Sequence, residues 1–236
     1  MPEDSGHPSW DTILGHIAGG ELNTALAAND WAIRNRVTGM EYMQRWVKYV
    51  IQGLRVPYLF LWGPQSSGKS ILGDALEVLL GHDAVVFGNQ IVCRKLGKFN
   101  SELMNARLVR FEECEFDRDT YYRVVAPLIH DDTIVIHKMG REPITIQNQL
   151  NFVHMHNHRN ACPTLVGDEH LMALYVTMLG EGAEIVKPDL LDRLRGEKDS
   201  FLATLDRLPG DIVEGELALP PITTPGLIQA FEDNSG

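Results

Sequence analysis

Apolar positions recur at helical spacing through the first fifty residues. Ile13, Leu14 and Ile17 make one stripe, and Met40, Met43, Trp46, Val47, Val50 and Ile51 make another. This period predicts a helical lead-in over residues 10–56, of a size that suits an oligomerisation subdomain. The pattern then changes. Tyr58–Trp62 is a short unbroken apolar run that reads as a buried strand, and Ser70–Leu80 returns to helical spacing and stops near Gly81. Ala84–Phe87 and Leu108–Phe111 read as further strands, and Thr120–Ile129 as a helix. The β-branched runs Thr133–His137 and Ile144–Gln147 flank a polar stretch and predict a hairpin with its tip at Gly140. Leu150–Met155 reads as a strand and Leu190–Leu208 as a helix. Residues 1–9 and the acidic, Pro- and Gly-rich residues 209–236 are expected to be mostly disordered, with LALPPITTPG a linker into a further segment. Alternating strands and helices over residues 57–208 predict an α/β core with a parallel sheet flanked by helices.

Composition narrows the class. The chain has 236 residues, 44% of them hydrophobic, enough for one sizeable core. No apolar run approaches the roughly 18 residues that cross a bilayer, and the N-terminus lacks the layout of a signal peptide, so no membrane partner is expected. Cys93, Cys114 and Cys162 form no CxxC pair, which argues against a zinc site or a disulfide framework and for a reducing interior. A net charge of −11 argues against a general nucleic-acid binder, because phosphate contacts are made by Lys and Arg. The basic residues are nevertheless grouped, in Arg94-Lys95…Lys98 and in Lys138…Arg141.

The most informative stretch is Gly63-Pro64-Gln65-Ser66-Ser67-Gly68-Lys69-Ser70, which fits G-x-x-x-x-G-K-[ST] in full between a buried strand and a helix. Glycines let backbone N–H groups turn inward around phosphate, and the helix N-terminus adds partial positive charge. Lys69 then neutralises the β- and γ-phosphates, and the Ser70 hydroxyl ligates Mg²⁺. A nucleoside triphosphate is the expected ligand. Leu108–Phe111 runs straight into Glu112 and Glu113, the form taken by a strand that delivers a metal-associated carboxylate and a general base. Two acids suit hydrolysis better than phosphoryl transfer to a small hydroxyl, which makes a small-molecule kinase the weakest reading. His154, His156 and His158 alternate along one strand and, with no nearby Cys or acidic partner in sequence, read as polar lining rather than a metal site.

The order of these motifs, with FNSEL, ARLVRFEE, IHKMGREPITIQN and NFVHMHNH following GPQSSGKS, resembles the superfamily 3 helicase ATPase core of small DNA viruses, phages and plasmids. It is most similar to the phage and plasmid primase–helicase branch, over residues 10–208. The resemblance implies an AAA+-type P-loop ATPase that uses ATP and Mg²⁺, assembles as a ring, usually a hexamer, and moves along single-stranded DNA. It places Lys69 and Ser70 on the phosphate loop, Glu112 on the metal, Glu113 at the water, and Asn157 at the sensor position. Lys138, with Arg141, falls in the DNA-touching hairpin. It implies an intracellular protein, in the host nucleus for a eukaryotic virus and in the host cytoplasm for a phage or plasmid.

The pattern departs in two places. Glu169 and His170 stand where the family carries the arginine that reaches a neighbour's ATP, leaving Arg159, Arg193 and Arg195 as candidates. The few dozen residues before the core leave no room for an origin-binding, nickase or primase domain, so either that domain is expected in a separate partner protein or this chain is a core unit, natural or excised. With the acidic charge, these departures support a rival reading, a P-loop ATPase that acts as a protein assembly or regulatory factor.

Overall fold

The computed structural model describes residues 6–93, 99–163, 170–180, 186–210 and 217–234. The basic group Arg94, Lys95 and Lys98, and Asp168 and Glu169, lie outside them. Three helices come first. α1 (Pro8–Ala27) bends at Gly19, where φ is 50° and ψ −167°, values outside the helical region. α2 (Asp30–Asn35) is capped by Asn29, whose side chain accepts the Ala32 N–H at 3.0 Å. α3 (Gly39–Gln52) is capped by Thr38, which accepts the Glu41 N–H at 3.2 Å, and it stops at Gly53 with φ 70°. Each cap satisfies a helix-end N–H that would otherwise lack a partner. The two apolar stripes are buried, and they share one core with Leu59, Leu61, Leu72 and Leu76 of the α/β part.

Five strands make a wholly parallel sheet in the order β2-β3-β6-β1-β7. They are β1 (Tyr58–Trp62), β2 (Val85–Phe87), β3 (Leu108–Glu112), β6 (Asn151–His156) and β7 (Leu171–Tyr175). Successive side chains point to opposite faces, so the apolar runs cover both. Leu59, Leu61, Val153 and Met155 face the core shared with α1, α3, α4 (Lys69–Leu80) and α8 (Lys187–Arg207). Tyr58, Phe60, Phe111 and Phe152 face a second core. That core is closed by a helical run and by Leu227 and Ala230 of α9 (Pro225–Asn234). The helical run is expected as one α-helix over Thr120–Ile129. It contains α6 (Arg118–Thr120), a π-helical turn (Tyr121–Val125) and α7 (Ala126–His130). Short α5 (Gly88–Cys93) follows β2.

The hairpin is a separate antiparallel ribbon of β4 (Thr133–Ile136) and β5 (Ile144–Gln147). At its end the Arg141 N–H reaches the Lys138 carbonyl at 3.2 Å, and Gly140 takes φ 69°, which the turn requires and glycine supplies without strain.

Residues 6–9 and 217–234 are ordered where disorder was expected, and residues 1–5, 211–216 and 235–236 lie outside the described residues. In residues 6–9, Pro8 opens α1 and His7 and Ser9 are buried. His7 Nε2 pairs with the Thr204 hydroxyl at 2.9 Å, and Glu197 receives the Ser9 N–H and hydroxyl, both at 2.8 Å. At the other end, the expected linker packs against the domain, with Leu219, Ile222 and Thr224 almost fully buried. The Ala218 N–H donates to the Arg55 carbonyl at 2.7 Å, and the Tyr42 hydroxyl donates to the Pro220 carbonyl at 2.7 Å. Polar composition concealed the apolar anchors Leu219, Ile222 and Leu227. Ile222→Ala is expected to lower unfolding free energy by about 2–4 kcal/mol, the cost of a core cavity, in urea titrations. A disordered tail predicts no change.

Candidate active site

The parallel register brings three strand ends to one edge. Trp62 pairs with His156 and Glu112 with Met155, so Gly63 emerges beside Asn157 and Glu113 beside His156. Crevices at the carboxyl ends of strands are where α/β sheets bind ligands.

The phosphate loop connects β1 to α4. Gly63 has φ 152°, and a Cβ there would sit 2.2 Å from the Val176 carbonyl oxygen, so no side chain fits. Ser66 and Gly68 also take positive φ, 62° and 84°, which curls the loop ahead of α4. The loop holds Lys69, only 6% exposed, with its ammonium donating to the Gly63 and Pro64 carbonyls, both at 2.8 Å, and to Ser67 Oγ at 3.2 Å. Burial pushes the Lys69 pKa down, and the charge of Glu113 partly opposes that shift. From the helical lead-in, His16 Nε2–H donates to the Ser67 carbonyl at 2.8 Å and ties α1 to the loop.

The expected functional residues meet in a continuous set of contacts. Lys69 Nζ donates to Asn157 Oδ1 at 3.3 Å, and the Asn157 N–H points at Glu113 Oε2 at 3.4 Å. His156 Nε2 lies 3.7 Å from Glu113 Oε2 and 3.7 Å from Glu115 Oε1. Glu112 faces the other way, toward α4. Its carboxylate meets Arg110, and its backbone is clamped by Asn89, which accepts the Glu112 N–H at 3.0 Å and donates to its carbonyl at 2.7 Å. Arg110, 3% exposed, also bonds Asp74 at 2.9 Å and the Ser70 carbonyl at 3.2 Å, so it joins the acidic strand to the first turn of α4. A hydroxyl at Ser70 and a carboxylate at Glu112 are hard oxygen donors, suited to Mg²⁺ that keeps most of its water. Among the described residues there is no group of three or more His, Cys, Asp or Glu that could hold a metal.

A cavity of about 500 Å³ opens from Ser66, Gly68 and Ser70 and runs between α1 and α8. Its walls are mostly apolar, with Ile13, Ile17, Ile71 and Leu190, and Arg193 lines it too. Arg193 and Glu197 thus line the same cavity as the phosphate loop of their own chain. Arg195 pairs with Asp192 at 2.6 Å on the exposed side of α8. Arg159 is bound to Asp233 at 2.8 Å and to Gln229, and its guanidinium lies over the Trp62 ring at 5.3 Å. Lys138 and Arg141 sit at the hairpin turn, apart from this edge in the fold, with Arg141 exposed.

The sequence reading missed Arg110, Asp74, Asn89 and His16. A charge inside the run Leu108-Val109-Arg110-Phe111 was the available signal for Arg110, because a buried arginine needs a partner. Nothing in the sequence marked the other three. His154, expected as polar lining, is a core residue. It is fully buried, it accepts from the Tyr58 hydroxyl at Nδ1 (3.0 Å), and it donates from Nε2 to the Cys114 carbonyl (2.8 Å). Desolvation holds its pKa down at about 3.

A family model described as a family of unknown function (DUF5906) matches residues 61–170. No curated protein sequence matches the chain. Among solved structures, an apo form of the NrS-1 C-terminal region superposes with a TM-score of 0.70 at 14% identity, covering 97% of this chain and 51% of that one. A second NrS-1 C-terminal structure (305–718) gives 0.68 at 14%, covering 96% and 51%. A JCV helicase chain gives 0.44 at 13%, covering 87% and 55%, too slight a likeness to bear on the chemistry. The fold is therefore similar to that of part of the NrS-1 C-terminal region, and the chain spans about half the length of those solved chains.

His154 also makes stability depend on pH. The folded protein keeps it neutral down to about pH 3, whereas the unfolded chain protonates it near 6.5. Between these values the unfolded state binds the extra proton, so stability falls as pH drops, by about 1.4 kcal/mol per unit at most. Urea unfolding of wild type and His154→Gln at several pH values from 6.5 to 4 should show a shallower dependence in the variant.

Proposed function

We propose that this chain is an ATP-hydrolysing motor core of the superfamily 3 helicase type, assembling as a ring and moving single-stranded DNA in the replication of a virus, phage or mobile element. The observation that carries this reading is the contact series from Lys69 through Asn157 to Glu113, at 3.3 and 3.4 Å. An ammonium, an amide and a carboxylate at one strand edge, beside a cavity of nucleoside size, support the roles of phosphate-neutralising cation, sensor and base.

In this mechanism N–H groups of the loop between Gln65 and Ser70 and the N-terminus of α4 bind the phosphates, and the apolar wall of Ile13, Ile17 and Ile71 takes the nucleoside. Lys69 leaves the loop carbonyls to meet the phosphate oxygens, where negative charge builds in the transition state. The Asn157 side chain has both a donor and an acceptor, so it can orient the attacking water against the terminal phosphate. Glu113, half exposed beside it, accepts the water proton. Ser70 and Glu112 would hold Mg²⁺, which when bound would supply charge neutralisation to the phosphates. Arg193 adds positive charge in cis, which leaves Arg159 and Arg195 for the trans contact to a neighbouring subunit. Arg159 must exchange Asp233 and Gln229 for that role. The hairpin presents Lys138 and Arg141 to the DNA backbone, contacts that carry no base preference.

The net charge of −11 favours the rival reading, in which the same ATPase acts on a protein partner. ATP hydrolysis with and without single-stranded DNA separates them. DNA should stimulate the wild type, and Lys138→Ala/Arg141→Ala should lose the stimulation while keeping the basal rate. Glu113→Gln should lose about 10²–10⁴ in rate, the range for a placed base, while still binding nucleotide. Hydrolysis indifferent to DNA would favour the assembly factor.

A further inference from the structure

Glu113 is held in an unusual backbone conformation. Its φ of 45° lies in the left-handed region, which costs a residue with a side chain roughly 1–3 kcal/mol and persists only where the surroundings enforce it. One strand supplies much of that enforcement. The Glu113 N–H donates to the Met155 carbonyl at 2.9 Å, continuing the β3–β6 ladder by one residue. The next carbonyl along the chain, that of Cys114, accepts from His154 Nε2–H at 2.8 Å. The Glu113 carboxylate lies against the Asn157 N–H and His156 Nε2. Four successive residues of β6 and its end thus frame one glutamate.

The ring protons follow from the partners. A carbonyl can only accept, so the His154 proton is on Nε2, and Nδ1 accepts from the Tyr58 hydroxyl at 3.0 Å. Phe60, Phe111 and Phe116 surround the ring at centroid distances of 5.0, 5.6 and 5.2 Å. His156 Nδ1 lies 3.0 Å from the His158 nitrogen and 3.1 Å from the His158 carbonyl oxygen, while Nε2 faces the acceptor-only carboxylates of Glu113 and Glu115 at 3.7 Å, beyond hydrogen-bond length but a setting that favours a proton on Nε2. A leucine at either position would fill the space without donating.

We propose that His154 and His156 are positioning residues for Glu113, with His154 fixing the backbone that follows it and His156 holding its carboxylate beside Asn157. The inference rests on the reading of Glu113 as the base in ATP hydrolysis. Among the described residues no side-chain hydrogen bond or ion pair joins either histidine to the phosphate loop, so their loss should slow turnover and leave nucleotide binding intact. Core histidines with a purely structural role would change stability and leave turnover alone.

The test compares His154→Leu and His156→Leu with His154→Gln and His156→Gln, whose amide N–H can replace the ring donor. Circular dichroism checks folding, a fluorescent ATP analogue reports affinity, and phosphate release gives kcat. Each leucine variant should bind nucleotide about as tightly as wild type yet lose at least about 30-fold in kcat, part of what a placed base contributes. Each glutamine variant should recover most of that loss. If His154→Leu does not fold, the His156 pair decides. Folded leucine variants with wild-type kcat, or glutamine variants as slow as leucine, overturn the inference while hydrolysis by wild type stands. Wild type that binds ATP without hydrolysing it overturns the reading of Glu113 and this inference together.

Discussion

Strand β6 lies between the strand that carries the phosphate loop and the strand that carries the acidic pair, hydrogen-bonded to both. Parallel pairing in that position leaves little freedom at the strand ends. Once Trp62 is opposite His156 and Glu112 opposite Met155, the residues that follow must emerge side by side. Lys69, Asn157 and Glu113 come from places 88 and 44 residues apart in the chain, yet they touch in series. A one-residue slip of β6 would turn every side chain on it to the other face. Phe152 and Val153 lie in opposite cores, which penalises such a slip heavily.

Charge is handled at this edge by two buried cations in different ways. Arg110 is committed: its guanidinium joins Asp74, Glu112 and the Ser70 carbonyl, locking the acidic strand to the first turn of α4. Lys69 is held mainly by carbonyl and hydroxyl oxygens of its own loop. Neutral oxygens stabilise a buried ammonium less than a phosphate does, so the lysine is exchangeable where the arginine is not. Beyond the edge, α1 reaches the loop through His16, and α8 closes the cavity with Leu190 and Arg193. The lead-in helices are therefore part of the site's wall.

The strands with unbroken apolar runs, the hairpin and the phosphate loop were legible because each has a local cause: period 2, β-branched residues around a glycine, or a loop whose chemistry dictates its residues. The parallel sheet followed from the alternation of elements. What escaped depended on distant partners. The tail composition at 209–236 hid Leu219, Ile222 and Leu227, whose burial depends on the surface laid down by α3, β1 and β7. The π-helical turn at Tyr121–Val125 has no local marker. Asp74 and Asn89 look like ordinary surface residues until Arg110 and Glu112 are placed beside them. The role of His154 depends on Tyr58, ninety-six residues away.

The central claim is that the loop from Gly63 to Ser70 binds a nucleoside triphosphate through Lys69. Titration calorimetry of wild type and Lys69→Ala with Mg-ATP tests it most directly, with circular dichroism to confirm that both are folded. The account predicts clear saturable binding by wild type and a loss of at least about 100-fold in the variant, on the scale of 1.4 kcal/mol per tenfold in affinity. Equal affinities, or no binding by folded wild-type protein, would contradict it.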